Sequence, residues 1–478
     1  MTVLSELERI LSDAKEEWRG QEAAPMETLE TITADGPAET GSRGGGAKNG
    51  GDVRPAPVGG AVAGAAGGSG ARPLNQIALA DNLGFMKACA DDGMGGAFNL
   101  IYIDPPFFSK RNYDAEVKLA APAHGTAPTW RQTNYSDAWP GDLGQYLRML
   151  APRLYGFKEL LADTGCLWVH LDWHVVHYAK VLMDEIFGAG NFVNEIIWNY
   201  KSGGASKRRF ARKHDTLLFY SKTAEYHFNP QKEKSYNREL KPYRFKGVKE
   251  YKDALGWYTL VNMKDVWELD MVGRTSKERT GYATQKPESL LLRILESCSE
   301  EGDLCGDFFG GSGTMAAAAE RLGRRWLSCD QGRLAALSTQ KRMAGLGANF
   351  RLTADRRLGG DLPGRFEAEL NISAAPAGKT RISVRLAKYA LPEGAPPLPP
   401  EAPQSRALDE ILSGASLGLV EYWSVDVDYD GESHKPTAWK AKKDGRIGDE
   451  IELAAERVGA VRVRAVDIFG NSSFRVYT

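Results

Sequence analysis

Cysteine is scarce in this 478-residue chain. Cys89, Cys166, Cys298, Cys305 and Cys329 are the five, and no two stand in a CxxC spacing. That argues against a disulfide scaffold and against a zinc ribbon. Long apolar runs are missing too. None reaches the roughly 18 residues that mark a membrane-spanning helix, so no membrane partner is expected. The start, MTVLSELERI, lacks a basic stretch followed by an apolar one and is not read as a secretory signal. The expectation is a reduced, cytoplasmic protein. An excess of charge is also absent: 61 Lys and Arg face 62 Asp and Glu, a formal net charge of −1. Averaged over the chain, that balance argues against a nucleic-acid partner. Hydrophobic residues make up 42%, enough for a sizeable core, which excludes wholesale disorder. One core rarely grows past roughly 250–300 residues, so two or three domains are expected.

Within residues 3–18, Leu4, Leu7, Leu11, Ala14 and Trp18 share one helical face, and 1–20 is read as an amphipathic N-terminal helix. Residues 36–73 hold 13 glycines, 4 prolines and no aromatic residue. Such a segment buries too little apolar area to offset its ordering entropy, so 21–73 is read as a flexible Gly/Ala-rich linker. Removing residues 1–73 is therefore expected to leave activity in place. From about residue 74, strands alternate with helices, the pattern of a parallel α/β sheet. NLIYID, CLWVHLD, DLCGDFF and RRWLSCD read as its strands. Residues 201–286 break the rhythm with 20 basic against 10 acidic side chains and interleaved aromatics, among them Phe210, Tyr220, Tyr243, Trp257 and Trp267. The net charge of the whole chain is thus a cancellation between a basic insert and acidic surroundings. Past residue 350 apolar residues alternate with period two, as at Ile382, Val384 and Leu386. That is the signal of half-buried strands, and 360–478 is read as an all-β, sandwich-like domain. Its EGAPPLPPEAP run (393–403) reads as a proline-rich loop.

Two strand ends carry chemistry. Asp104-Pro105-Pro106-Phe107 closes a buried strand, at the edge where open α/β sheets bind ligands. A carboxylate, a proline-stiffened carbonyl and a ring suit a planar ligand bearing an exocyclic amine. Taken alone, DPP more often marks only a strand that stops at a proline turn. The run from Asp307 to Thr314, DFFGGSGT, passes from a strand end into a helix, and its glycines let the backbone approach a ligand at the helix N-terminus. Asp330 lies 23 residues past Asp307. A carboxylate about 20 residues past such a turn is placed to hold the ribose of an adenosine cofactor.

Together these motifs resemble the S-adenosylmethionine-dependent amino-methyltransferases that act on DNA. DPPF is similar to that family's catalytic DPPY, and DFFGGSGT to its FxGxG cofactor motif. The order of catalytic half, basic insert and cofactor half is that of the family's β class. TQKP, from Thr284 to Pro287, is similar to the segment that packs beside the bound cofactor, and DNL, Asp81 to Leu83, to the opening strand-turn. The resemblance covers about residues 74–345 and implies a Rossmann-like methyltransferase domain with a target recognition region inserted at 201–283. It implies catalysis by Asp104, Pro105, Pro106 and Phe107. It implies cofactor binding by Thr284, Lys286, Pro287, Asp307, Phe309, Gly311, Gly313, Thr314 and Asp330. DFF in place of DPF, and the stretch VHLDWHVVHYAKVLMDEIFG, look most like modification subunits of type III restriction systems, which methylate adenine at N6. Cytosine-N4 enzymes of the class more often carry Ser where Asp104 stands. Phe107 replaces the usual Tyr, which keeps a stacking ring and loses a hydroxyl.

The implied reaction is methyl transfer to N6 of an adenine extruded from the duplex, stacked on Phe107 and held by Asp104 and the Pro105 carbonyl. Lys207, Arg208, Arg209, Arg212 and Lys213 form a dense cluster suited to phosphates, and Lys110 and Arg111 follow the catalytic loop closely enough to hold a flipped nucleotide. Cytosine-N4 methylation and a non-catalytic DNA-binding relative are the alternatives. DNA is the expected partner. A homodimer, or a restriction or helicase subunit on the β domain, is left open. His170, Asp172, His174 and His177 could suggest a metal site, but the resembling enzymes carry such residues without one, and no metal is expected. Cys305 and Cys329 are read as buried small hydrophobes.

Overall fold

The computed structural model describes residues 6–33, 75–118, 129–137, 139, 141–203, 206–273, 275–358, 364–391, 416–443 and 445–478. The glycine-rich run at 36–73 and the proline-rich loop at 393–403 lie outside these residues. Among the described residues, no helix is long and apolar enough to cross a membrane.

The chain opens with α1 (Leu7–Gly20) and β1 (Met26–Ile32). The α/β unit continues through β2 (Asn75–Leu79), α2 (Asn82–Cys89) and β3 (Phe98–Ile103), then a hairpin of β4 (Asn112–Lys118) and β5 (Thr129–Ser136). Next come α3 (Leu143–Leu160), β6 (Leu161–Leu171), α4 (Val176–Phe187), β7 (Phe192–Asn199) and β8 (His214–Ser221). A small antiparallel sheet follows, made of β9 (Lys232–Tyr236), β10 (Glu250–Lys252) and β11 (Trp257–Asn262), and then β12 (Val266–Glu268). The second half runs α5 (Glu288–Cys298), β13 (Leu304–Asp307), α6 (Thr314–Arg321), β14 (Arg325–Asp330), α7 (Arg333–Leu346) and β15 (Phe350–Asp355).

Ten strands make one sheet in the order β1-β15-β2-β14-β13-β3-β6-β8-β7-β12. From β15 to β6 all neighbours are parallel. These strands are near-continuous apolar runs because helices cover both faces. One face packs on α1 to α4 through residues such as Ile10, Phe85, Leu150 and Leu182. The other packs on α5 to α7 through Leu291, Ala317 and Met343. β3 is FNLIYI, and Pro105 and Pro106 stop it, since proline offers no N–H to a ladder.

The remaining strands are β16 (Arg365–Ala374), β17 (Thr380–Ala390), β18 (Val420–Tyr429), β19 (Ala438–Ala441), β20 (Glu450–Ala455), β21 (Ala460–Asp467) and β22 (Ser472–Tyr477). They form a three-stranded sheet, β16-β17-β20, and a four-stranded one, β19-β18-β21-β22. Val384, Ile451, Trp423 and Val463 from both sheets share one core, so the sandwich expected from the period-two pattern is present.

Three boundaries differ from the sequence reading. Residues 26–32, inside the expected linker, are β1, paired antiparallel with β15 at the sheet edge. Its alternation of polar and apolar residues is too short to stand out beside the glycine-rich run. β8, inside the expected insert, is a buried strand of the main sheet between β6 and β7. The surrounding charge masked its apolar run, and Tyr220 and Trp267 are core residues rather than interleaved surface aromatics. The α/β domain runs on past 345 to β15, which pairs with β2. The amphipathic helix expected at the N-terminus is present and docked: Ile10, Ala14 and Trp18 of α1 are buried, and Trp18 Nε1 donates to Glu159 Oε2 at 2.8 Å on α3.

Glu30 of β1 joins the two domains. Its fully buried carboxylate accepts from Gln340 Nε2 on α7 and Arg464 Nη1 on β21, and from Tyr422 Oη and Ser424 Oγ on β18 at 3.0 Å each. Removing one partner of a buried pair strands the other charge in a low-dielectric site. Glu30→Ala is expected to destabilise the junction by about 3–5 kcal/mol, read as a lower urea midpoint, with part of the loss recovered when Arg464 is also replaced by Met.

Candidate active site

Three neighbouring strands, β14, β13 and β3, end in or run straight into aspartates at their carboxyl edge: Asp330, Asp307 and Asp104. Asp307 sits in the middle and is buried. Burial pushes its carboxyl well above the ordinary range, and the charges of Asp104 and Asp330 add to this; the Phe309 N–H, donating at 3.0 Å, opposes it. Asp330 is also pushed up by burial, against the N–H groups of Gly332 and Gly311, which donate at 2.7 and 2.9 Å.

The turn after Asp307 needs its glycines. Gly313 has φ 71°, and a Cβ there would lie 2.6 Å from Thr339 Oγ1. A Cβ on Gly310 would lie 2.2 Å from Ser328 Oγ. The turn opens onto a cavity of about 530 Å3, and Asp307, Phe309, Gly311, Thr314, Asp330, Thr284 and Lys286 all line it. Of the cofactor residues expected from sequence, Gly313 and Pro287 alone do not. Gly313 sets the turn, and Pro287 occupies the cap position of α5.

Sequence reasoning missed the opposite wall. Arg153 on α3 donates to Asn82 Oδ1 at 2.6 Å and Asp81 Oδ2 at 3.0 Å, and Asn82 donates to the Phe308 carbonyl at 2.8 Å. This clamp ties α2, α3 and β13 around the cavity. DNL marked Asp81 and Asn82 only as a strand-turn, and Arg153 belongs to no motif.

A second cavity, of about 170 Å3, lies on the other side of Asp104, lined by Pro105, Phe107, Tyr113, Trp198, Asp215 and Gln285 among others. Asp104, Tyr135, Thr284 and Lys286 line both cavities. Tyr135 and Thr284 touch through their hydroxyls at 3.2 Å. Lys286 Nζ donates to Asp104 Oδ2 and lies 5.1 Å from the centre of the Phe107 ring. Asp104 Oδ1 is buried and has no hydrogen-bond partner.

Behind Phe107 stands His170, fully buried, with ring centres 5.7 Å apart. Its Nδ1 meets Tyr102 Oη at 2.8 Å and its Nε2 meets Asp215 Oδ2 at 3.2 Å. Tyr200 Oη donates to the other Asp215 oxygen at 3.0 Å. His174 pairs separately with Asp172 at 2.7 Å. Cys305 and Cys329 are buried, and burial pushes the Cys305 thiol up to about 12.

The loop after DPPF is strained: Phe108 and Lys110, neither glycine, have φ 61° and 59°. Asp137 holds it. This buried carboxylate accepts from Phe108 N at 3.0 Å, Ser109 N at 2.6 Å and Trp139 Nε1 at 2.8 Å. No sequence pattern announces it.

The expected DNA-facing residues divide. Lys207, Arg208 and Arg209 are exposed, as are Lys110 and Arg111. The Arg212 guanidinium lies 3.2 Å over the Trp173 ring centre. Lys213 instead closes the β7–β8 hairpin, with Nζ donating to the carbonyls of Ser202 and Gly203 at 2.6 and 2.7 Å.

Residues 98–340 match the N6/N4 methyltransferase family model, described as DNA methylase. The chain belongs to the N6/N4 DNA methylase family. Among curated relatives it is similar to the type II methyltransferase M.EcaI of Enterobacter cloacae, 27% identical over 310 residues, 52% of this chain and 65% of that protein. It is similar to the type II methyltransferase M.HinfI of Haemophilus influenzae, 26% identical over 274 residues, 54% of this chain and 65% of that protein. The chain thus spans just under two thirds of the length of these relatives. A solved structure of an M1.HpyAVI–SAM complex aligns with a TM-score of 0.36 and 18% identity, covering 56% of this chain and 98% of that one. The family match contains Asp104, Lys286 and Asp307 and stops inside α7, so the sandwich lies outside it.

The Asp137 carboxylate orders the DPPF loop and lines the smaller cavity, not the larger. Displacing a reacting group by about 1 Å can cost about 100-fold in rate. Asp137→Ala is expected to lower turnover by about that factor and, by leaving three donors unpaired, to lower the thermal midpoint as well, with Asp137→Asn retaining more of both. Side-by-side rate and melting measurements check this.

Proposed function

We propose that this chain is a site-specific DNA methyltransferase that uses S-adenosyl-L-methionine to methylate N6 of adenine. The single observation that carries the reading is the meeting of two cavities at Asp104, one of about 530 Å3 and one of about 170 Å3. The larger has room for a nucleoside cofactor and the smaller for one planar base.

The larger cavity fits the cofactor chemically. Asp104, Asp307 and Asp330 bring three carboxyls to its wall, and Asp307 is destabilised as an anion there. A ligand bearing an ammonium and a sulfonium relieves that repulsion. When bound, the cofactor supplies the sulfonium methyl that the attacking nitrogen takes.

The protein's own part is to extract, hold and deprotonate the amine. N6 is unreachable inside a stacked pair, so the base must leave the duplex. Phe107 lines the small cavity and offers a ring for stacking. Asp104 Oδ1, buried and unpartnered, accepts one amine N–H, and the Pro105 carbonyl accepts the other. Held by two acceptors, the nitrogen turns its lone pair away from ring conjugation and toward the methyl group. As the new N–C bond forms, the surplus proton passes to Asp104 or to water. Asp104, rather than serine, favours adenine N6 over cytosine N4 on the family resemblance. Lys286 donates to Asp104 and must yield its place on Oδ2, or share it, as the amine arrives.

Expression in a methylation-free host, followed by modification-sensitive sequencing of the genomic DNA, tests the base, the atom and the site together. Methyl-adenine at one recurring sequence supports the reading. Methyl-cytosine moves it to N4, and unmodified DNA overturns it. Asp104→Ala is expected to abolish transfer and to leave cofactor binding within a few-fold of the parent by calorimetry. Asp307 adds a pH test. Its raised carboxyl stays protonated above the ordinary carboxylate range, while a cationic ligand favours the ionised form. Cofactor affinity is therefore expected to rise with pH through that raised value, and the step to vanish in Asp307→Asn.

A further inference from the structure

Among the described residues Phe210 is 99% exposed, and the next most exposed large apolar side chains, Leu255 and Phe245, stand at 67% and 63%. It belongs to the β7–β8 hairpin, in the run Lys207-Arg208-Arg209-Phe210, where all four side chains are exposed. The base of this hairpin is a wall of the small cavity. Trp198 and Asp215 face each other across the β7–β8 ladder, and both line that cavity. The neck is fixed: Tyr200 N donates to the Lys213 carbonyl at 3.0 Å, Lys213 Nζ ties back to Ser202 and Gly203, and Arg212 lies flat on Trp173. A pinned neck thus presents a bare ring, with cations beside it, on the hairpin whose base lines the small cavity.

We propose that Phe210 is a wedge that enters the DNA stack where the target base leaves it. The inference rests on the methyltransferase reading above and adds to it the residue that fills the gap. The chemistry is that of other duplex-kinking proteins: an apolar side chain inserts at an unstacked step while adjacent basic residues hold the phosphates on either side. Water is a poor environment for a phenyl ring, and the face of an orphaned base is a good one. The flanking charges of Lys207, Arg208 and Arg209 select a polyanion as the occupant over an apolar protein surface.

The test uses the full chain and two synthetic duplexes carrying the site read from the host genome. One has the target adenine normally paired, and the other has an abasic position opposite it, so that extrusion breaks no base pair. Phe210→Ala is expected to lower the transfer rate on the paired duplex by tenfold or more and to come within threefold of the parent on the abasic one. Phe210→Trp is expected to restore the paired rate. A Phe210→Ala rate equal to the parent on both duplexes overturns the wedge and leaves the methyltransferase reading standing. So does an equal loss on both duplexes, which marks Phe210 as a general binding contact. A parent chain that methylates neither duplex overturns the functional reading and the wedge with it.

Discussion

Like charges crowded at one sheet edge are the constraint around which this molecule is arranged. Parallel strands β14, β13 and β3 deliver Asp330, Asp307 and Asp104 side by side, because a parallel ladder aligns strand ends. Repulsion and burial fall hardest on the central one, Asp307. The fold answers with donors: the Gly311 N–H of the glycine turn and the Gly332 N–H on Asp330, the Phe309 N–H on Asp307, and the Lys286 ammonium on Asp104. Tight glycine geometry follows from this, since a Cβ at Gly310 would meet Ser328 on β14. The edge is left short of positive charge on its cavity side, which is why it suits a cationic ligand.

A second buried carboxylate performs the opposite task. Glu30 is fully satisfied, and what it organises is not a cavity but a joint. β1 caps the edge strand β15 and carries Glu30 between α7 and the sandwich. Arg464 is enclosed with it, and His434, whose backbone carbonyl takes the Thr31 N–H at 2.8 Å, is held neutral by burial and by Arg464. The sandwich is therefore wired to the methylase unit through the N-terminal strand, not merely strung after it. That wiring orients it as a fixed body beside the α/β unit.

Legibility in the sequence tracked how local each feature was. The strand–motif junctions at Asp104 and Asp307 are contiguous runs, and both stand where their patterns placed them. The sandwich was readable because period-two alternation is a local property. What escaped depends on pairing across the chain. Asp137 meets residues 28 and 29 positions away, Arg153 meets Asn82 from 71 positions away, and Glu30 meets Arg464 across 434. Each is a common residue type whose role exists only once the fold brings its partner near. β8 was obscured for a different reason: its short apolar run, Leu217 to Tyr220, lies inside a stretch whose average charge describes the loops on either side of it.

The separation of charge along the chain acquires a physical sense on the proposed reading. The carboxyl edge repels phosphate, and the exposed Lys207, Arg208 and Arg209 attract it. Mobile ions blunt either field beyond about 8–10 Å at physiological salt, so each acts only on what lies close to it. A duplex backbone is thus drawn to the hairpin and turned away from Asp104. An extruded base is neutral and crosses from one zone to the other without that penalty. The near-zero net charge of the chain conceals these two opposed surfaces, and on the proposed reading their opposition sorts base from backbone at the cavity mouth.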